Sequence, residues 1–440
     1  MGCEKKLDLK PNTGIVLPKT LKEFESILDN TEVINLSPAL PQISADEYFI
    51  PGLQDWQSLY AATARNAAIW QKDIYSGESN ITDWNQPYSA IFYANNVLEQ
   101  LSKAAIENDQ EKSRIKGWAL FVRAYNFYAL VSVFAKGYDP ASAGTDPGIP
   151  LKLTAGIDEL IPRASLQRSY AQITKDALEA SELLNPHIIA DKRNRPSKVA
   201  AFALLARVYL SMRDYQQAEK YADQALALYS TLTDFNTLKT NTSSAFTYNS
   251  EETIYFSQLN NNYAELTLRS SLAYGISPQL LELYDPNDLR LLIYFRKNTI
   301  GNYNIKSINS RSSFPFTGLA TDELYLIKAE CLARRNQQEA ALIYLNQLLQ
   351  SRMKTGSFVS VTATDSDDVL NKILTERRKA LVWRSQRWTD LKRLNLEGRN
   401  ITLTRNLGDQ VHILEPRSPR YVLPIPDDEI ALSGIEQNLR

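Results

Sequence analysis

Two stretches of this chain place small residues at helical spacing on either side of a short turn. In the first, Ala203–Leu210 leads through Arg213, Asp214 and Tyr215 to Ala218, Tyr221, Ala222, Ala225 and Leu226. In the second, Leu324–Leu332 leads through Arg334, Arg335 and Asn336 to Ala340, Ala341, Tyr344 and Leu345. Apolar residues at three- and four-residue steps mark helices. Alanine at the facing positions lets two antiparallel helices approach closely. A chain with two such pairs is committed to a helical scaffold.

The pairs match the tetratricopeptide pattern, but far more than one repeat period separates them. The set is therefore interrupted rather than a continuous array. Periodicity predicts further helices over Leu21–Asp29, Tyr88–Leu101, Ile115–Phe134, Leu166–Leu184 and Val199–Met212. Ile115–Phe134 and its predecessor make a third, looser pair. The segment 231–318 differs in composition: it is rich in Asn, Ser, Thr and Tyr, with β-like runs such as Thr253–Ser257. The expectation is a mainly α chain of tetratricopeptide-like helix pairs forming a superhelical scaffold, with long irregular loops and a few short strands. Stacked repeats allow 440 residues to run as one unit. Residues 1–20 read as a tether and 21–440 as a single domain, with 231–318 as a loop-rich insertion.

Several function classes are disfavoured. Basic and acidic residues balance at 49 against 50, so no basic excess marks a nucleic-acid surface. No apolar run is long enough to span a membrane. The histidines, His187 and His412, lie far apart without ligands at metal spacing, so neither a metal nor another cofactor is expected. No phosphate loop and no G-x-S-x-G or H-E-x-x-H motif is present, and the chain is not expected to be an enzyme. Cys331 lies on an apolar helical face and reads as a buried thiol.

The stretch Thr375–Leu394 is charged, carries Trp383 and Trp388, and lacks Gly and Pro. It predicts one helix, either a charged surface or a partly buried ion-pair network. Arg387 and Asp390 are expected to pair within it. Pro424, Ile425 and Pro426, then Glu429 and Ile430, then Gln437 and Asn438 follow it. Trp84, Tyr88, Ile91, Ala94, Asn95 and Leu98 form an earlier motif; Phe121, Arg123, Ala124 and Tyr125, and Asp146 to Leu151, form two more. In this order the motifs resemble those of the SusD/RagB family of outer-membrane nutrient-binding lipoproteins. Asp288-Leu289-Arg290 is similar to the family's D-x-R motif. One departure is Trp383–Gln386, where the family commonly has Phe-Glu-Gly before the Arg.

The resemblance implies a lipid anchor at Cys3, with Met1 and Gly2 standing where a signal peptide was removed, and a cell-surface position on the outer membrane. The membrane is then touched only through that anchor. It also implies a partner, a SusC-like TonB-dependent transporter, to which the protein hands an oligosaccharide. A surface peptide-binding role and a tetratricopeptide adaptor are the alternatives. The window from Trp70 to Asp83 combines two aromatics with amides and carboxylates able to bond sugar hydroxyls. In the resembled family, glycan sites use this region together with loops in the middle of the chain. Trp70, Tyr75 and Asn80, with Tyr263 and Tyr303, are thus the expected ligand residues, and Asn260–Asn262 and Asn302 are their neighbours. The competing reading is that Trp70 caps a helix pair and Tyr75 packs under the loop. Trp84, Trp118, Trp383 and Trp388 are assigned to the scaffold.

Overall fold

The structure, a computed structural model, describes residues 18–156, 159–269, 271–306, 308–309 and 313–440. Most of the expected tether, with Cys3, lies outside them. Residues 18–20 already belong to the fold. Thr20 accepts the Glu23 amide proton while the Glu23 carboxylate takes the Thr20 amide, a capping box that starts α1 (Leu21–Leu28).

The main helices are α2 (Thr82–Lys103), α3 (Asp109–Phe134), α4 (Leu166–Leu183), α5 (Lys198–Ser211) and α6 (Tyr215–Leu228). After the insertion come α7 (Thr321–Arg334), α8 (Gln338–Gln350), α9 (Ser366–Ala380) and α10 (Arg387–Leu396). Side-chain caps start several of them: Asn108 for α3, Ser165 for α4, Ser197 for α5 and Asp214 for α6. From Gly117 to Val131 helix α3 is buried on every side and runs through the core, while its first turns are charged and reach solvent.

Each of α2 to α6 packs on the next, and α6 then packs directly on α7. The two alanine-rich pairs, α5–α6 and α7–α8, are therefore stacked in space although residues 229–320 intervene in sequence. Their turns use left-handed residues, Arg213 at φ 63° and Asn336 at φ 62°. The superhelical scaffold is continuous, and the insertion is looped out from it.

The insertion holds short strands and one-turn helices, stitched to the segment before α2. Gln258–Leu259 pairs parallel to Leu36–Ser37, and Gly275–Ile276 pairs antiparallel to Tyr48–Phe49. Thr253–Tyr255 pairs with Leu319–Ala320, and Phe295–Lys297 forms a hairpin with Tyr303–Ile305. Its aromatics Tyr255, Tyr274, Tyr294 and Phe295 are buried. Its polar residues are partly interior as well: Ser257, Asn260, Asp288, Arg290 and Asn304 are buried with hydrogen-bond partners.

The stretch Thr375–Leu394 is not one helix. It breaks at Leu381–Gln386, where Trp383 and Ser385 adopt φ of 63° and 58°. The Trp383 amide donates to Glu47 at 3.2 Å and the Ser385 amide to Gln42 at 3.1 Å. These distant partners satisfy the amides that a helix would have used, and they let Arg384 turn onto Asp322 with two bonds of 2.8 Å. The expected Arg387–Asp390 pair is also absent. Arg387 holds Asp46 at 2.7 Å, whereas Asp390 accepts from Arg377 at 2.9 Å and Arg393 at 2.8 Å. Both residues lie on α10, but each is engaged by a better-placed partner: Asp46 draws Arg387 out of the helix, and Arg377 and Arg393 already occupy Asp390.

Those contacts belong to a buried network. Arg290 binds Asp288 in bidentate fashion and also Glu376, Arg207 binds Glu323, and Arg393 binds Glu330. Of the two readings of the charged stretch, the buried network is correct. Bidentate, mutually satisfied pairs are the arrangement in which desolvated charge can be tolerated.

Candidate functional site

Trp70, left-handed at φ 56°, turns its ring inward onto Trp388, Leu391, Leu403, Leu414 and Tyr421. It is 2% exposed, and its indole N–H donates to the Ser44 carbonyl at 2.8 Å. Tyr75 is 1% exposed, and its hydroxyl donates to the Pro424 carbonyl at 2.6 Å. Burial pushes its phenol well above the ordinary value. Both expected stacking rings are thus closed to a sugar. Burying each is worth about 1.5–3 kcal/mol, which a solvated loop forfeits. Tyr263 is closed as well, at 7% exposed; its left-handed backbone, φ 58°, starts the turn Ala264–Thr267.

Asn80 is exposed, and its backbone N–H donates to Asp428 at 2.8 Å. Tyr303 is half-exposed on the 295–305 hairpin, with the Lys297 ammonium 5.4 Å from its ring centre.

The two expected regions do converge. Asn262 donates to the Thr82 hydroxyl at 2.6 Å, and Asn260 donates to Asp83 at 3.3 Å. Asp83 also accepts the Leu40 amide proton at 2.7 Å. Burial raises Asp83 to about 6, and these donors limit the rise. The loop after Trp70 is held from within: the Asn66 amide donates to the Ile74 carbonyl and the Ser76 hydroxyl, and Asp73 accepts the amides of Tyr75 and Ser76. Glu78 accepts from Thr63.

On the same edge stands Tyr60, 93% exposed, in the turn between the short helices Leu53–Ser58 and Ala62–Ala68. Its backbone N–H donates to Glu265 at 2.7 Å, two residues beyond Tyr263. Arg65 braces the turn through the carbonyls of Leu59 and Tyr60. The junction therefore presents a wet aromatic face, Tyr60, tied through its backbone to Glu265, while Glu78, Asn261 and Asn262 are further exposed or half-exposed polar groups of the two regions. Sequence reasoning missed Tyr60. A lone loop tyrosine carries no spacing signal, and Trp70 drew the attention ten residues later.

Comparison with known proteins bears on this geometry. Residues 5–210 match the family described as starch-binding, associating with outer membrane, and residues 285–439 match the SusD family. The chain belongs to the SusD/RagB family. The SusD-like protein P2 of Formosa agariphila is 24% identical, the match covering 79% of this chain and 77% of that protein. A SusD superfamily structure from Bacteroides vulgatus aligns with TM-score 0.76 at 20% identity over 96% of this chain and 99% of that one. A structure described as a SusD-like carbohydrate binding protein, also from Bacteroides vulgatus, aligns at TM-score 0.72 and 19% identity over 95% and 97%. At such identities the SusD-family structures share a fold, and the match extends through the insertion as well as the scaffold. Among the described residues no helix is long and apolar enough to cross a membrane.

Proposed function

We propose that this protein captures a neutral oligosaccharide at the cell surface and delivers it to a TonB-dependent outer-membrane transporter. The observation that carries the reading is Tyr60: a fully wet aromatic face at the junction of the two regions that the family resemblance singles out, tied to the Glu265 carboxylate and set between segments that carry exposed amides and carboxylates. A sugar ring offers C–H faces to such a ring and hydroxyls to such a border. SusD-family membership, the outer-membrane description of the matched family and the carbohydrate-binding description of a structural neighbour support it. Asn80 and Tyr303 remain part of the proposal as exposed and half-exposed groups. Cys3 is proposed as the lipidated residue that tethers the protein to the membrane.

The test is calorimetry with a panel of oligosaccharides and peptides. A flexible glycan loses entropy on ordering, so a dissociation constant no tighter than roughly micromolar is expected. Tyr60→Ala should abolish binding at this surface with an unchanged melting temperature. Binding of peptides alone sinks the glycan reading.

A further inference from the structure

The N-terminal half of α2 carries a second set of aromatic rings, away from Tyr60. Tyr88, Phe92 and Tyr93 are half-exposed and line a groove of about 430 Å³, with Trp84 beneath them. Residues Lys152, Thr154 and Gly156 and the carboxylate of Glu429 complete its walls. That volume lies within the range of ~300–1,000 Å³ typical of small-ligand sites.

The groove is built rather than incidental. The Tyr88 hydroxyl donates to the Pro150 carbonyl at 2.9 Å. The Asn95 amide donates to the carbonyls of Lys152 and Thr154, both at 2.9 Å, so it pins the opposite wall. Asn95 is itself fixed by Arg123 at 3.0 Å, and Arg123 is bidentate to buried Asp176 at 2.7 and 2.8 Å. At the floor the Trp84 indole donates to Glu429 at 3.2 Å, and its ring lies 5.0 Å from that of Tyr88. Helix and wall are thus locked at a fixed separation while the rings between them stay wet.

The lining selects a ligand class. Tyr88 and Phe92 follow one another by four residues, so their rings succeed each other along the helix at about 6 Å between Cβ atoms. Successive units of an extended glycan can stack on such a ladder. Among the described lining residues the ionic groups are one ammonium and one carboxylate, and both are engaged: Lys152 lies 5.2 Å from the Tyr88 ring centre and Glu429 accepts from Trp84. The charges of the described lining residues therefore balance. Asn85 and Ser89 stand exposed on the same face of α2 and offer hydrogen bonds to hydroxyls.

We propose that this groove is a second sugar-binding site, stacking neutral pyranose rings on Tyr88 and Phe92 with Asn85 and Ser89 bonding hydroxyls. It rests on the preceding reading in taking the ligand to be a glycan, and shares no residue with it.

The test is calorimetry of the whole chain with maltohexaose, cellohexaose, laminarihexaose and xylohexaose, each taken to millimolar concentration. The expected result is two binding events on at least one sugar. Tyr60→Ala should leave one. Phe92→Ala should weaken that remaining event by about tenfold or more, and Ser89→Arg, which fills the groove from an exposed position, should remove it. Melting temperatures check that each variant is folded. If Tyr60→Ala removes all binding and Ser89→Arg leaves the wild-type isotherm intact, the groove proposal falls and the Tyr60 reading stands. If Ser89→Arg removes all binding and Tyr60→Ala none, the Tyr60 reading falls and the groove stands. No saturable binding of any of the four sugars by the wild-type chain overturns the groove proposal.

Discussion

Arg290 has no solvent exposure and touches carboxylates on two sides, Asp288 on its own turn and Glu376 on α9. Removing its guanidinium leaves these two deeply buried carboxylates to share the Lys379 ammonium, 3.3 Å from Asp288 and 2.9 Å from Glu376, and Arg290→Ala should cost about 3–5 kcal/mol in denaturant unfolding. Arg387 is a milder case. Its partner Asp46 keeps a second cation, Arg378 at 3.0 Å, so Arg387→Ala should cost about 1–3 kcal/mol. A double-mutant cycle should show coupling to Asp46→Asn and little to Asp390→Asn; the reverse result would restore the intrahelical pair. Glu330 supplies a pH signature. Burial alone would raise it, but Arg393 and Arg334 overcome that and hold it at about 2, against an ordinary 4.5. A carboxylate depressed on folding stabilises fully above its unfolded pKa and loses that contribution as pH falls through the folded one. The melting temperature should therefore fall between pH 4.5 and 2, and Glu330→Gln should flatten that slope while lowering stability at neutral pH.

At the scale of elements, the alanine spacing of α5–α6 and α7–α8 and the apolar run of α3 were legible in the sequence, because local pattern and packing demand the same thing. The break between α9 and α10 was not. Trp383 and Ser385 take left-handed backbone without being glycine, and the groups that make it favourable, Glu47 and Gln42, lie more than 300 residues away. The inward turn of Trp70 escaped for the same reason, since its partners come from α10 and the 403–414 hairpin. The meeting of the loop after Trp70 with Asn260–Tyr263 was anticipated, but which rings remain wet there depends on backbone hand, which composition does not encode. A further close approach is at Gly318, where a Cβ would meet the Tyr255 carbonyl across the pairing of 253–255 with 319–320. Gly318→Ala should cost about 1–3 kcal/mol by forcing those strands apart, measurable as a shift in the denaturation midpoint without change of slope.

For the whole molecule, the division of labour follows from where the charge and the wet aromatics sit. Apart from Arg123–Asp176 between α3 and α4, these buried ion pairs gather where α7, α9 and α10 meet the insertion, on the 288–290 turn, α5, α7 and the break before α10. Tyr60 sits on the opposite kind of ground, a short turn braced by Arg65 and Glu265 with its ring entirely in water. Its ring makes no contribution to the core, so its removal has no reason to be felt there. Stability and binding should then separate across variants. Arg290→Ala should lower the denaturation midpoint and leave the affinity of the molecules still folded unchanged. Tyr60→Ala should do the reverse, leaving the midpoint within about 0.5 kcal/mol, as for other surface substitutions, while the binding event at the Tyr60 surface is lost. Paired denaturation and binding measurements on both variants decide the matter. If Arg290→Ala weakens binding by folded protein, the network shapes the site as well as the scaffold, and the separation proposed here fails.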